Sequence, residues 1–197
     1  MHNRFFISSK VPLIQPHHIE LDKVFGKVVG TTGNGIGPAY AEQALKVEGS
    51  KIKCVRIGDY LNNPELGKAA VKANLLEVNQ KYNLEIDVEK VVDNFDAAVR
   101  KVLLYVSQDP LFLQKKLEEG KNLFMEGAQS CMLDLIYGTY PFVTSSRTVA
   151  AAAYTGGDVS LKYHAETIGV ANAIMSRVGN GPFVTEFGRE RLEIYCG

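Results

Sequence analysis

The sequence contains no tryptophan, few cysteines and no excess of charge of either sign. Its cysteines, Cys54, Cys131 and Cys196, are far apart, odd in number and without a CxxC pair, which argues against a disulfide framework and favours a reducing compartment. Lysine plus arginine equals aspartate plus glutamate, at 22 against 22. This balance gives no indication of a nucleic-acid partner or of an anionic membrane surface, although local basic groups could still bind a small anion.

Long apolar runs are also lacking. The N-terminal stretch "MHNRFFISSK" has no apolar core of signal-peptide length, and no run approaches the roughly 20 apolar residues of a membrane span. We therefore predict a cytoplasmic protein without a membrane partner. The length of 197 residues suits one domain or part of a larger one. Because the chain begins and stops abruptly beside structured-looking stretches, we expect a piece of a longer chain.

Apolar periodicity predicts short strands separated by helices, which is the pattern of an α/β fold. Helices are predicted over residues 17–26, 64–82, 87–108, 110–120 and 147–154. Another helix is predicted to begin at Pro38, with Gly37 as its cap. Strands are predicted over 4–8 and 122–127, and 166–179 favours a strand slightly over a helix. The middle of the chain, 62–119, is therefore expected to be a helical subregion.

The stretch "GTTGNGIGPAY", residues 30–40, is the first candidate for binding chemistry. It fits neither the GxGxxG dinucleotide pattern nor the GK[ST] ending of a Walker loop. Its alternating glycines can turn backbone N–H groups inward, Thr31 and Thr32 offer hydroxyls, and a helix N-terminus follows. These features predict an anion-binding loop, and a tight structural turn is the alternative.

The stretch 124–146, after the predicted strand at 122–127, is the second candidate, because ligands bind beyond strand ends in open α/β sheets. Gln129 can donate and accept, so it can bind a base edge, and the hydroxyls of "VTSSRT" suit a phosphate. The alternative is that Asp134 and the hydroxyls cap turns and helices.

Two further features carry weaker signals. In "SRVGNGPFVTEF", residues 176–187, Arg177 and Glu186 could simply pair with each other. His17, His18 and His164 have no carboxylate or cysteine at metal-ligand spacing in the sequence, so we predict no metal site in this chain.

Three stretches, "GTTGNGIGPAY", "EGAQSCMLDLIYGTYPFVTSSRT" and "RVGNGPFVTE", resemble adenylosuccinate synthetase in the same order. The resemblance implies part of a P-loop-NTPase-like, mostly parallel sheet with a helical middle section. It implies a cytoplasmic, homodimeric, GTP-dependent C–N ligase of purine (AMP) biosynthesis that uses Mg²⁺. The family phosphorylates the 6-oxygen of inosine monophosphate (IMP) with GTP, and the amine of L-aspartate then displaces the phosphate.

The resemblance also implies roles for single residues. Thr32 and Thr144 would contact the phosphate of IMP from two loops, and Gln129 would hold the purine near its 6-oxygen, where donors suit a developing oxyanion. Val178, with Gly179, would line the ribose side. Lys46 would reach the IMP phosphate of the dimer partner.

The chain departs from the family pattern in the helix after the glycines. Gln43 stands where the family signature has a lysine, and Lys46 stands where it has an arginine, so one charge and one bidentate fork are lost.

The family's GDEGKGK loop, its catalytic histidine loop, its arginine-rich aspartate-binding loop and its TKLD-type guanine motif do not occur in the sequence. We therefore expect residues 1–197 to be the central portion of a single synthetase domain. This portion would have no catalytic residue of its own, and GTP and Mg²⁺ would be bound mainly by parts outside it. It would supply much of the IMP pocket and would not catalyse alone. A non-catalytic purine-nucleotide-binding relative, or a ligase acting on another purine monophosphate, are the alternatives.

Overall fold

The computed structural model of the chain describes residues 4–183 and residue 186. Its strands are β1 (Ile7–Ser8), β2 (Val47–Glu48), β3 (Lys51–Ile52) and β4 (Val106–Ser107). Its α-helices are α1 (Pro16–Phe25), α2 (Ile36–Leu45), α3 (Ile57–Asn62), α4 (Pro64–Tyr82), α5 (Val88–Val102), α6 (Phe112–Glu118) and α7 (Ala152–Gly157). Short 3₁₀ helices cover Leu103–Tyr105, Cys131–Leu133 and Leu161–Tyr163.

The strands form two small sheets. β1 and β4 pair in parallel, with Ile7 opposite Val106 and Ser8 opposite Ser107. Parallel neighbours need a long crossover, and here the crossover contains α1 to α5. β2 and β3 form an antiparallel hairpin directly after α2.

The core lies in the helical middle section, where local signals define the two long helices. Asn63 caps α4 by accepting the N–H of Leu66, and Asp87 caps α5 by accepting the N–H of Lys90. α4 and α5 pack against each other, and the buried side chains of this region form one cluster. The cluster comprises Val55, Tyr60, Val71, Leu75, Val88, Val92 and Val99.

Several predicted helices are confirmed. α1 and α4 lie within one residue of their predicted limits, and α6 lies inside its predicted range. The predicted helix 87–108 is shorter than expected, since α5 ends at Val102 and β4 follows the 3₁₀ turn. α2 begins two residues earlier than predicted, because Gly35 rather than Gly37 is its cap.

Two strand predictions are wrong. Residues 122–127, all of which the structure describes, form no strand, and the side chain of Phe124 is 79% exposed. Residues 166–179 have no regular secondary structure and are mostly exposed. Both runs carry apolar residues that suit strands, but strands form only where a neighbour supplies backbone partners. In the described part of the chain, no helix has the length and apolar character needed to cross a lipid bilayer.

Candidate functional site

A cavity of about 430 Å³ lies where the three sequence stretches meet. Its wall comes from the glycine loop (residues 26–35) with the start of α2, from the second loop (127–146) and from the third segment (175–183). The volume falls within the range of small-molecule sites. Apolar side chains and polar or charged side chains line the cavity in nearly equal numbers. The cavity therefore has the composition expected of a pocket for a small organic ligand that carries several polar groups.

The glycine loop is held against α1 at its last residue. Gly35 has φ of 77°, and its N–H donates to the carboxylate of Asp22 at 2.9 Å. A Cβ on Gly35 would lie 2.9 Å from the backbone carbon and Cβ of His18 and from the nitrogen of Ile19. Both the left-handed backbone and this close approach require glycine here. Contact with α1 therefore explains why the third residue of GNGIG, Gly35, is a glycine.

The second loop is organised around the fully buried carboxylate of Asp134. It accepts the backbone N–H groups of Ile136, Tyr137 and Thr148 and the Nε–H of Arg147. Burial alone would raise the pKa of Asp134, but these donors hold the pKa well below its usual range. Asp134 therefore acts as the structural cap that the sequence analysis named as an alternative, while it folds the loop that carries Thr144.

The third segment is tied to both loops. Asn180 donates its backbone N–H to Val29 at 3.0 Å and its side-chain amide to Val28 at 3.0 Å, so it holds the glycine loop. Arg177 donates to the carbonyl of Phe142 at 2.6 Å and to the hydroxyl of Thr139 at 3.1 Å, so it holds the second loop. These bonds join stretches that are far apart in sequence.

Four of the five site residues predicted from the sequence line this cavity: Thr32, Gln129, Thr144 and Val178. Gln129 has a positive φ of 73°, a backbone conformation that is uncommon for residues other than glycine. Lys46 does not line the cavity. It is the exposed C-cap of α2, and its ammonium group donates to the carbonyl of Ala44 at 2.9 Å.

The structure adds two charged groups to the cavity wall that the sequence analysis did not assign to a site. Asp22 contributes a carboxylate that is 4% exposed, and Arg177 contributes a guanidinium. Arg177 bonds to carbonyls and a hydroxyl, so the hypothesis that it simply pairs with Glu186 is not needed to explain its position. His18 and Asp22 are four residues apart, and this spacing in the sequence predicts that the two side chains lie on the same face of a helix.

His17 and His18 share a carboxylate partner that lies outside metal-ligand spacing in the sequence. Glu42 of α2 accepts from Nε2 of His17 at 2.9 Å and from Nε2 of His18 at 2.8 Å, through the same oxygen. All three are buried. Burial lowers the pKa of His17 below 6.5. Burial alone would raise the pKa of Glu42, but the bonds from the two histidines lower it to about 2. The partner lies 24 and 25 residues away, so local spacing could not reveal it.

Among the described residues, His17, His18 and Glu42 lie close enough together to hold a metal ion. Their hydrogen bonds, however, do not suit a metal. Nδ1 of His18 accepts the backbone N–H of Gln15 at 3.0 Å, so Nε2 must carry the proton. A metal on that Nε2 would move the proton to Nδ1, where it would face the N–H of Gln15. The ammonium of Lys53, 3.8 Å from Glu42, adds repulsion. Mg²⁺ in particular prefers oxygen ligands and water.

Comparison with known proteins gives one family. The family model for adenylosuccinate synthetase matches residues 1–195. Adenylosuccinate synthetase 2 of Cupriavidus pinatubonensis is 39% identical over 193 residues, which are 98% of this chain and 42% of that protein. Adenylosuccinate synthetase of Pelodictyon phaeoclathratiforme is 40% identical in an alignment of 193 positions that covers 93% of this chain and 43% of that protein.

A solved structure agrees with these matches. The fully ligated adenylosuccinate synthetase from Plasmodium falciparum superposes with a TM-score of 0.84 and 30% identity, over 98% of this chain and 46% of that chain. This likeness confirms the predicted α/β fold class. The chain spans less than half the length of the relatives it matches. The chain belongs to the adenylosuccinate synthetase family.

Proposed function

We propose that the chain contributes the IMP site of a GTP-dependent ligase that makes adenylosuccinate from IMP and L-aspartate, in purine nucleotide biosynthesis. The observation that carries the proposal is the meeting of Thr32, Gln129, Thr144 and Val178 around one cavity. These residues come from three segments spread over almost 150 positions, and the resemblance in the sequence implies a role in IMP binding for each of them. Such a meeting is expected of a real site and not of four unrelated loop residues.

The phosphate of IMP would lie between the glycine loop and the second loop. Thr32 and Thr144 would each offer a hydroxyl, and the start of α2 adds its partial positive charge. The guanidinium of Arg177 makes the cavity more favourable for an anion, while its bonds to the second loop keep it in place. Val178 would cover the ribose side, and the exposed amide of Gln129 would bind the base near its 6-oxygen.

The chemical step follows from the family. The γ-phosphoryl group of GTP is transferred to the 6-oxygen of IMP, which leaves GDP. The aspartate nitrogen then bonds to C6, the C–O bond breaks, phosphate leaves and the nitrogen loses its extra proton. We assign to the present chain the binding and orientation of IMP. Holding IMP in a reactive geometry lowers the entropic part of the activation barrier.

GTP and Mg²⁺ would be held by other parts of the synthetase fold. The sequence lacks the GDEGKGK loop, and the His17–His18–Glu42 cluster does not fit Mg²⁺ for the reasons given above. No step is therefore assigned to a metal bound by the described residues. A homodimer in which Lys46 reaches the partner's nucleotide fits its exposed position at the end of α2, away from its own cavity.

Isothermal titration calorimetry on the purified chain tests the proposal. We expect one IMP to bind per chain, and inosine to bind far more weakly because it lacks the phosphate. AMP, which carries an amino group in place of the 6-oxygen, should bind more weakly than IMP. Equal affinity for IMP and inosine would contradict the phosphate site, and a preference for AMP would favour a different purine monophosphate.

A second assay tests whether the chain can form adenylosuccinate without the other parts of the synthetase fold. The chain mixed with IMP, aspartate, GTP and Mg²⁺ should form no adenylosuccinate, since the family's GTP loop and catalytic residues do not occur in its sequence. GTP-dependent formation of adenylosuccinate by the purified chain would contradict this assignment. The synthetase names of the relatives favour this proposal over a purely regulatory nucleotide-binding relative.

A further inference from the structure

We propose that Asp22 and Glu42 are positioning residues that fix α2, and with it the glycine loop, by a two-point clamp from one face of α1. The proposal deepens the function proposed above and rests on it for its ligand. Neither residue was singled out by the sequence patterns.

The first point of the clamp is at the start of α2. The carboxylate of Asp22 accepts the N–H of Gly35, the residue that caps α2 and ends the glycine loop. The bond is buried, with Asp22 4% exposed. A buried charge-assisted bond of this length is stronger than an ordinary hydrogen bond. It fixes where α2 begins.

The second point lies two helical turns later, about 10 Å along the axis of α2. Here the Nε2–H groups of His17 and His18 donate to one oxygen of Glu42. The order of contacts is reversed between the helices, since the start of α1 meets the second half of α2. Contacts at two points along α2 fix both the position and the direction of the helix axis, which a single hydrogen bond cannot do.

The clamp is anchored to the core rather than to the surface. The side chain of Gln15, immediately before α1, donates to the carbonyl of Lys53 at 2.6 Å and accepts from Asn74 of α4 at 3.0 Å. Its backbone N–H also fixes the ring of His18. The bonds therefore run from α4 through α1 to α2, and then to the residues that line the cavity.

The bonding of Glu42 allows a sharp choice of variants. Both histidine bonds end on Oε2, so Glu42→Gln can keep both by presenting its amide oxygen. Glu42→Leu removes the acceptor and leaves two buried N–H groups unpaired. A stability control is Val71→Ala, because Val71 is fully buried in α4 within the hydrophobic cluster and outside the cavity wall. The apolar side chain of Val71 makes none of the hydrogen bonds of the clamp.

The test measures IMP affinity by calorimetry and the amide chemical shifts of residues 30–35 by NMR in the free chain. We expect Glu42→Leu to weaken IMP binding by about tenfold and to move these amide shifts. The affinity of Glu42→Gln for IMP should stay within about threefold of that of the unmodified chain, because both histidine bonds are retained. Val71→Ala should leave affinity and shifts unchanged at temperatures where it is folded.

A second variant keeps the proposal testable if Glu42→Leu does not fold. His17→Phe removes one of the two bonds and should give a smaller change in the same direction. Unchanged affinity and unchanged loop shifts in a folded Glu42→Leu or His17→Phe chain would overturn the proposal, as would equal effects of Val71→Ala. If the unmodified chain does not bind IMP, the proposed function fails separately, and the amide shifts alone decide whether the clamp positions the loop.

Discussion

Thr144 is the residue whose side chain should contribute most clearly to phosphate binding. Its backbone N–H already donates to the carbonyl of Leu133 at 2.9 Å, which fixes the residue at the cavity wall. Thr144→Val keeps the shape and removes the hydroxyl. We expect IMP affinity to fall about tenfold, the usual effect of losing one bond to a charged group. Calorimetry with Thr155→Val is the control, because the hydroxyl of Thr155 bonds to Ala152 on α7. Equal affinities for all three chains would contradict the role.

Asp134 gives a prediction about pH. Its pKa is held below the ordinary value of 3.8, so its stabilising bonds are present above pH 3.8 and are lost as the pH falls below that value. Asp134→Asn should therefore lower the urea midpoint at pH 7, and the difference from the unmodified chain should shrink at pH 3. Asp158→Asn is the control, since its ion pair with Lys10 is exposed. A difference that grows on acidification would contradict the account.

The sequence could identify Thr32, Gln129 and Thr144 because each lies in a motif with a family resemblance. It could not identify Asp22 or Glu42 as partners of the glycine loop and the histidines. Their contacts join two helices across 13 to 25 residues, and no periodicity within one helix reports on such a contact. The resemblance therefore identified residues that line the cavity and missed residues that support the loops around it.

At the scale of elements, the junction of the glycine loop and α2 makes a matched pair of glycines informative. Gly33 and Gly35 have φ of 72° and 77°, but a Cβ on Gly33 would meet nothing within 4 Å. Gly33→Ala should therefore lose only about 1–2 kcal/mol of unfolding free energy, from the left-handed backbone. Gly35→Ala should lose about 1–3 kcal/mol more, because its methyl group would press on α1. Urea denaturation compares them, and equal losses would contradict the close packing.

The contact between α1 and α2 should be sensitive to mild acid. The pKa of His17 is lowered below 6.5 by burial, so the unfolded chain takes up its proton first, and stability falls as the pH drops below 6.5. Glu42 acts later, since its contribution is lost only between pH 4.5 and about 2. Lys53 also faces the cluster, 3.8 Å from Glu42, and opposes a second positive charge there.

Replacement of His17 tests this pH dependence. His17→Gln can still donate to Glu42 but does not titrate, so its unfolding free energy should fall less between pH 7 and pH 5 than that of the unmodified chain. Urea denaturation across this range measures the difference. Parallel profiles for the two chains would show that His17 does not set the acid response.

Helices were predicted better than strands for a physical reason. α4 and α5 carry their own caps and apolar stripes, so local sequence specifies them. The strands β1 and β4 pair across almost 100 residues, and each has only two residues in the ladder. The stretch 122–127 has strand-like composition without a strand partner in the described chain. Composition alone cannot supply such a partner.

At the scale of the whole molecule, three segments that are distant in sequence line one cavity, which we propose binds IMP. The chain matches less than half the length of its synthetase relatives, yet the described residues bring together four of the five predicted binding residues. Lys46 stands apart from that cavity, as a residue acting on a partner subunit would. The described residues therefore account for most of the predicted binding groups, and the remaining one would come from a partner subunit.

A crystal structure of the chain grown with IMP tests this claim most directly. We predict that the nucleotide occupies the cavity, with its phosphate within hydrogen-bond distance of the hydroxyls of Thr32 and Thr144. The base should lie beside Gln129, and the ribose should lie against Val178. An IMP molecule bound elsewhere on the chain, or bound in the cavity with its phosphate away from both threonines, would contradict the account.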